Sequence, residues 1–404
     1  MTAREAAMDD ALIGALDAFG ATVGAVYLRD PEHPVLRLAG ARSKNAGDAP
    51  AWAAEVAWGK GVAGGAAAAG EPLTGVEHDR STLAAPLLLG DDAIGALAVA
   101  SGGARDFSGA DAQAMLVRSR ALARALAPPP LEALRSELAG RIPAPASQWL
   151  DTTTAAAARG EREAIVTSFP AVGRRLGREP LGSRSALVRR DFDVEVPLRA
   201  WRIDDAGRVA LLCAFAGDAE ALARELYFTG DLRERCGALR GLAMFGRSPV
   251  AVDSVLDACR TSSMELFEAA TADNPYTCRL LPEEEFRNAV LKAAFMGVSI
   301  ARLPGLEARV DAELSRMLLS YVTEREVAGR SVPADIWPVV ALHPTPGLVG
   351  KLCGYLEHPA EAHRAAAARA LGRIGDRRAE PFVRDRLARE DDRMVRRALE
   401  RALA

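Results

Sequence analysis

Polar residues between positions 260 and 292 have the types and the spacing that a ligand site needs. Glu284, Asn288 and Lys292 follow one another at intervals of four residues, so in a helix they lie on the same face. Three further polar residues, Arg260, Asn274 and Tyr276, come before that helix in the sequence. The resulting hypothesis is one polar patch that binds a ligand or partner, formed by Arg260, Asn274, Tyr276, Asn288 and Lys292.

The chemistry of this patch would be the recognition of an anionic or amphipathic small molecule. Lys292 and Arg260 would hold the negative charge, and amide and phenol groups would fix the orientation. Only four of the 51 basic residues are lysines, so Lys292 indicates a need for a compact ammonium group. The alternative is an ordinary solvated helix face with a weak Glu–Lys pair. In that case Asn274 and Pro275 only cap the next helix or end the previous one.

Motifs for catalysis and metal binding are missing from the sequence. No G-x-S-x-G is present, and the five cysteines include no C-x-x-C, which excludes a thiolate zinc knuckle. The five histidines include no H-E-x-x-H, and His358 and His363 are five residues apart, so they do not share a helix face. We therefore expect no catalytic residue, no metal and no cofactor, and the sequence favours a protein that is not an enzyme.

Composition gives the general class. The 404 residues are 49% hydrophobic and 26% charged, with a net charge of −3, so the chain can bury a large core and is not a general nucleic-acid binder. No run of 18 apolar residues occurs and the N-terminus has no apolar signal region. We expect a cytoplasmic protein without a transmembrane segment, and the excess of arginine over lysine is typical of a GC-rich bacterial genome.

Three prolines at 128–130 divide the chain into a domain at 1–127 and a domain at 131–404. The first domain is predicted to be α+β, with helices at 4–19, 51–58 and 109–126, a glycine-rich loop from residue 59 to 70, and two β-hairpins, one spanning residues 23–38 and the other 82–100. The second domain is predicted to be all-α, with 186–201 as a long loop or a hairpin arm.

The first domain resembles a GAF domain through several ordered motifs. These are Gly59-Lys60-Gly61-Val62-Ala63-Gly64, Ile94-Gly95-Ala96-Leu97-Ala98-Val99 and Phe107-Ser108-Gly109-Ala110-Asp111. The resemblance implies an antiparallel sheet with helices and a role in sensing or in homodimer formation. It also implies a pocket between the sheet and the glycine-rich loop, with Ala66 to Ala69 in its lining. This pocket either holds a small molecule or is closed and serves only packing. A covalent bilin is excluded because every cysteine lies after residue 212.

The second domain resembles the EboA family of metabolite-traffic proteins over about 131–345. The resemblance is carried by Trp201-Arg202-Ile203-Asp204-Asp205, Asn274-Pro275-Tyr276 and Phe286-Arg287-Asn288-Ala289-Val290-Leu291-Lys292-Ala293-Ala294-Phe295. A HEAT-like repeat is expected at about 358–404, where His363 to Leu387 reads as a helix, a turn at Gly375 and a second helix. Stacked helix pairs of this kind form an α-solenoid.

The EboA resemblance implies a function in delivering a small biosynthetic metabolite to the cell envelope. The first hypothesis is therefore a non-enzymatic scaffold or carrier whose partners are other proteins of that pathway, with the GAF-like part as a sensory or dimerisation module. A second hypothesis is a signalling adaptor whose GAF-like domain binds a small molecule and whose solenoid docks a protein. The third is an uncharacterised enzyme of the same pathway.

Overall fold

The chain forms two compact units, residues 1–217 and residues 218–404. The structure, a computed structural model, describes residues 2–44, 52–102 and 106–403. Unit one contains a β-sheet and helices, and unit two contains helices alone among its described residues. The predicted fold class, α+β followed by all-α, is confirmed.

Unit one begins with a sheet module, which we define as the elements from α1 to α3. Its six strands form one antiparallel sheet in the order β3-β2-β1-β6-β5-β4. The elements are α1 (Ala3–Phe19), β1 (Val23–Arg29), β2 (Val35–Ser43), β3 (Glu55–Ala57), α2 (Gly61–Ala69), β4 (Leu73–Glu77), β5 (Arg80–Leu89), β6 (Asp92–Gly102) and α3 (Gly109–Leu126).

Both faces of this sheet are covered by helices. Side chains alternate between the faces of a strand. Val26 and Leu97 pack with α1 and α3 on one face, whereas Ala25 and Ala96 pack with α2 on the other. The central strands are therefore buried on both sides, which explains why β5 and β6 are almost continuously apolar.

Two local predictions within this module were wrong. The segment expected as a helix at 51–58 contains the strand β3, which pairs with β2 through Val35 and Ala57; residue 51 lies outside the described residues. The glycine-rich stretch expected as a loop forms the helix α2. Its glycines are poor helix formers, but burial of Val62, Ala63 and Ala66 against the sheet outweighs that preference.

The rest of unit one consists of helices and a two-stranded hairpin. Residues 186–201 contain that hairpin, one of the two predicted alternatives, with Ala186 opposite Pro197. The elements are α4 (Pro130–Leu138), α5 (Ala144–Ala158), α6 (Arg162–Ser168), α7 (Val172–Leu176), β7 (Ala186–Arg189), β8 (Val194–Pro197) and α8 (Ile203–Ala214).

The hairpin packs against the sheet module. The backbone N–H of Gly90, at the turn between β5 and β6, donates to Glu195 Oε2 at 2.9 Å, and the next N–H donates to the Arg184 carbonyl at 2.8 Å. Val188 belongs to the apolar core of the module, and Arg190 Nη2 donates to the Ala127 carbonyl at 2.5 Å. Contacts thus join the sheet to elements beyond the three prolines, and the boundary at 128–130 stays a prediction about independent folding.

Unit two is a succession of helices, each packed on close neighbours in the sequence, which is solenoid packing. The helices are α9 (Ala219–Thr229), α10 (Leu232–Phe245), α11 (Val252–Arg260), α12 (Met264–Thr271), α13 (Pro275–Leu280), α14 (Glu283–Met296), α15 (Ala312–Val327), α16 (Ile336–Val340), α17 (Leu348–Tyr355), α18 (Glu361–Ile374), α19 (Glu380–Arg389) and α20 (Arg393–Leu403). None of the helices in the described part of the chain has the length and apolar character that crossing a bilayer requires.

A substitution at the β5–β6 turn tests the hairpin contact. Gly90 has a φ of +62°, and a Cβ there would lie 2.8 Å from the Arg184 carbonyl oxygen. Gly70 has a φ of +68° with no atom within 4 Å of its Cβ position. We expect Gly70→Ala to cost about 1–2 kcal/mol for the left-handed backbone, and Gly90→Ala to cost at least about 1 kcal/mol more through overpacking.

The measurement is the urea midpoint of each variant of the full chain, together with hydrogen exchange of the hairpin amides. Faster exchange at residues 186–197 is expected for Gly90→Ala only. Equal midpoints and unchanged exchange for the two variants would show that the hairpin contact contributes nothing to stability.

Candidate functional site

A pocket of about 290 Å³ lies between the C-terminal part of α11 and the outer face of α14. The four-residue spacing along α14 places its polar side chains on this face, as the sequence predicted. The pocket is lined by Leu256, Cys259, Arg260, Glu284, Glu285, Asn288, Ala289 and Lys292. The structure thus brings together Arg260, Asn288 and Lys292 from the predicted patch.

Lys292 has a structural role at the wall of this pocket. Its Nζ donates to the carbonyl oxygens of Cys259 and Thr261, each at 2.6 Å, and lies 5.4 Å from the centre of the Phe267 ring. These carbonyls belong to the last turn and the cap of α11, where a positive charge stabilises the helix end. An ammonium has three protons, so these two bonds do not use the third N–H of Lys292.

The other polar side chains at the pocket are not bonded to other described residues. Within residues 2–44, 52–102 and 106–403, the side chains of Arg260, Glu284, Glu285 and Asn288 make no hydrogen bond or ion pair. Their neighbour Glu283 does, since its Oε2 accepts from Arg309 Nη2 at 2.7 Å. These four side chains that line the pocket are therefore available to a ligand.

Asn274 and Tyr276 do not reach this pocket, so the predicted five-residue patch does not form as one surface. Both residues are buried, at 2% and 1% exposure. Asn274 Nδ2 donates to the carbonyls of Leu239 and Ala269 at 2.9 and 3.0 Å, and its Oδ1 accepts from the Tyr276 N–H. Asn274 is the N-cap of α13, which is the structural alternative that the sequence left open.

The Tyr276 hydroxyl joins three separate segments of unit two. It accepts from the Ala251 N–H at 3.2 Å and lies 2.8 Å from the Ser248 carbonyl and 3.3 Å from Glu220 Oε1. Glu220 itself accepts from the N–H groups of Arg247 and Ser248. Burial first, and the charge of Glu220 second, raise the pKa of the Tyr276 hydroxyl well above its usual value, so it remains a hydrogen-bond donor.

A larger groove of about 790 Å³ lies in the C-terminal part of unit two, beside α17 and α19. Its acidic side chains are paired with arginine. Asp376 lies 2.6 Å from Arg378 Nη2, and Arg389 Nη2 lies 2.9 Å from Glu357 and 2.7 Å from Asp385. The smaller pocket is the better candidate site because its charges are unpaired.

One cavity among the described residues of the sheet module is small. It has a volume of about 30 Å³ and is lined by Val23, Trp52, Glu77, His78, Arg80, Thr82 and Ala100, which is room for about one water molecule. His78 and Asp79 both have positive φ values and form the tight turn between β4 and β5. Of the expected pocket lining at Ala66 to Ala69, Ala66 and Ala67 are buried in the core against the sheet, and Ala68 and Ala69 are exposed.

The sequence analysis missed a cluster of aromatic rings near the C-terminus. The ring centres of His358 and His363 lie 4.1 Å apart because His358 belongs to the turn before α18 and not to the helix. Trp337 Nε1 donates to His363 Nδ1 at 3.3 Å, and Tyr355 stacks on His358. Burial, and then the proximity of His358, lower the pKa of His363 below 6.5.

Removing the Tyr276 hydroxyl is expected to destabilise unit two. In Tyr276→Phe the buried Glu220 carboxylate and the Ala251 N–H each lose a partner, at a cost of about 1–3 kcal/mol. Tyr321→Phe is the matched control, because that hydroxyl makes a single bond to the Ala294 carbonyl at 3.0 Å. Urea denaturation should show the larger loss for Tyr276→Phe, and the reverse order would contradict the role given to this hydroxyl.

The buried His363 makes stability depend on pH. Its pKa is lower in the folded chain, so the unfolded chain binds more protons between that lowered value and 6.5. The stabilisation is complete above pH 6.5 and is lost as the pH falls towards the folded value. We expect the melting temperature to fall less between pH 7.5 and 5.5 in His363→Gln than in the parent, with His33→Gln as control. An unchanged pH dependence in His363→Gln would contradict this.

Comparison with protein families reveals three matches in chain order. Residues 5–128 match the GAF domain family, residues 131–341 match the metabolite traffic protein EboA family, and residues 339–404 match HEAT repeats. The three resemblances drawn from the sequence motifs are thereby confirmed. The HEAT match begins earlier than the expected residue 358. No curated protein matches the chain.

Several solved structures are similar to about a third of this chain. The GAF domain of an Acinetobacter phosphoenolpyruvate-protein phosphotransferase is 18% identical, with 31% of this chain and 83% of that one covered and a TM-score of 0.27. A free methionine-R-sulfoxide reductase from Neisseria meningitidis, in complex with its substrate, is 22% identical, with 30% and 75% covered and a TM-score of 0.26.

The EboA match spans 131–341, which is just over half of the 404 residues, and it contains both helices that form the polar pocket. The chain belongs to the EboA family of metabolite traffic proteins, with a GAF domain before the family region and a HEAT repeat after it.

Proposed function

We propose that this protein is a cytoplasmic, non-enzymatic carrier or scaffold that holds a small metabolite during its traffic. Membership of the metabolite traffic family supports the general function. The observation that carries the proposal is the polar pocket, where Arg260 and Asn288 have no partner among the described residues and stand beside Lys292. Charge-assisted hydrogen bonds from such groups contribute about 1.5–3 kcal/mol each.

The protonation state of Cys259, a potential nucleophile that lines the pocket, favours binding over catalysis. Cys259 lines the pocket, and burial raises the pKa of its thiol to about 12 despite the nearby charges of Lys292 and Arg260. The thiolate is the reactive form of cysteine, so at neutral pH this side chain is an unreactive thiol. The pocket can therefore hold a molecule without attacking it.

We assign the GAF domain a role in dimerisation. Ala114, Val117 and Ala121 follow one another at intervals of one helical turn on α3 and are exposed, Val117 to 62%. Neighbouring exposed apolar side chains on one face of a long helix suit the pairing of two copies. Other proteins of the same pathway would be the remaining partners.

Substitutions in the pocket test the carrier function. Arg260→Gln and Asn288→Ala remove exposed groups without a partner in the described structure, so the fold should be retained. Loss of one charge-assisted hydrogen bond of about 1.5–3 kcal/mol corresponds to a roughly ten- to hundredfold weaker complex. We expect a comparable fall in the metabolite retained by protein purified from the native host, measured by native mass spectrometry.

Arg330→Gln is the control, because Arg330 is exposed and lies outside the pocket. Lys292→Ala is a less direct test, since it also leaves the carbonyls of Cys259 and Thr261 without their donor. Retention by Arg260→Gln and Asn288→Ala at the level of the parent would refute the carrier proposal for this pocket.

A further inference from the structure

The polar pocket presents both signs of charge to the same cavity. Arg260 and Lys292 bring positive charge, and Glu284 and Glu285, in the first turn of α14, bring negative charge. No ion pair forms between these two groups anywhere in the described structure. Other exposed arginines of the chain, such as Arg224 and Arg316, are paired with neighbouring carboxylates.

Unpaired charges of opposite sign restrict the ligand. A simple anion would be attracted by Arg260 but repelled by the two carboxylates. A simple cation would be attracted by the carboxylates but repelled by Arg260 and Lys292. A molecule that carries both charges satisfies both sides. The anionic end has suitable donors in the planar fork of Arg260, the amide of Asn288 and the remaining N–H of Lys292.

The form and size of the pocket narrow the class further. No aromatic side chain lines it, so it lacks the aromatic faces that typically bind a quaternary ammonium. A primary ammonium, which can donate hydrogen bonds to Glu284 or Glu285, fits this lining better. The volume of about 290 Å³ equals that of roughly ten water molecules. Leu256 and Ala289 leave a small apolar wall for a side chain.

We propose that this pocket binds a zwitterionic α-amino acid, with its carboxylate at Arg260 and Lys292 and its ammonium at Glu284 and Glu285. The inference rests on the proposed carrier function and adds the class of the metabolite. Binding requires no covalent step, consistent with the protonated thiol of Cys259.

The test uses the full chain and three matched probe mixtures. The first contains the twenty common amino acids, the second their N-acetyl derivatives, which keep only the carboxylate, and the third their amides, which keep only the ammonium. Native mass spectrometry identifies bound components, and calorimetry gives their affinity. The variants are Arg260→Gln and Glu285→Gln, and the matched controls are Arg330→Gln and Glu324→Gln, exposed residues outside the pocket.

Support would be binding of at least one free amino acid, tenfold or more weaker binding of its acetyl and amide forms, and a tenfold loss in both pocket variants but in neither control. If the acetyl form bound as tightly as the free amino acid and Glu285→Gln did not change the affinity, the zwitterion proposal would be overturned. The protein would then be a carrier of anions. Absence of any free amino acid would also overturn the zwitterion proposal. In that case, the carrier proposal would still stand if the parent retained a host metabolite that Arg260→Gln did not. If the parent retained no metabolite, the carrier proposal and the amino-acid proposal would both be refuted.

Discussion

The hydroxyl group of Tyr276 is the interaction on which the candidate pocket depends most. It binds the backbone immediately before α11, through the Ala251 N–H, and the Ser254 hydroxyl adds a bond to the Ala251 carbonyl. At the other end of α11, Lys292 holds the carbonyls of Cys259 and Thr261. A helix of nine residues has little stability of its own. Tyr276 at one end and Lys292 at the other therefore fix the pocket wall that carries Arg260.

This arrangement explains why the residues of the candidate pocket could be predicted only in part from the sequence. The spacing of Glu284, Asn288 and Lys292 on one helix face follows from local geometry, and so it could be derived. The positions of Asn274 and Tyr276 could not, because the partners of Tyr276 lie 25 to 56 residues earlier in the chain and a sequence does not reveal such pairing. Polar residues beside a predicted helix can therefore support a pocket from behind as well as line it.

The same limit applies to the fold. Ordered motifs predicted the GAF domain, the EboA region and the HEAT repeat, because each motif reports local structure: turns and strand patterns in the first, and helices with their turns in the other two. They did not predict α2, where burial of Val62 and Ala66 against the sheet overrides the weak helix propensity of glycine. They also did not predict that His358 and His363 meet, since this contact requires the turn before α18. The missing information was long-range packing for α2 and the exact position of a turn for the two histidines.

The contact of the hairpin with the β5–β6 turn constrains which GAF domains can stand before this EboA region. Domains joined by a simple tether can be exchanged for homologues with little loss. Here the turn must bring a backbone with positive φ and no side chain to within reach of the Arg184 carbonyl, and Glu195 must find a free N–H there. A GAF domain from another protein would fit ahead of this EboA region only if its own turn met both conditions, so the two parts are expected to be inherited together.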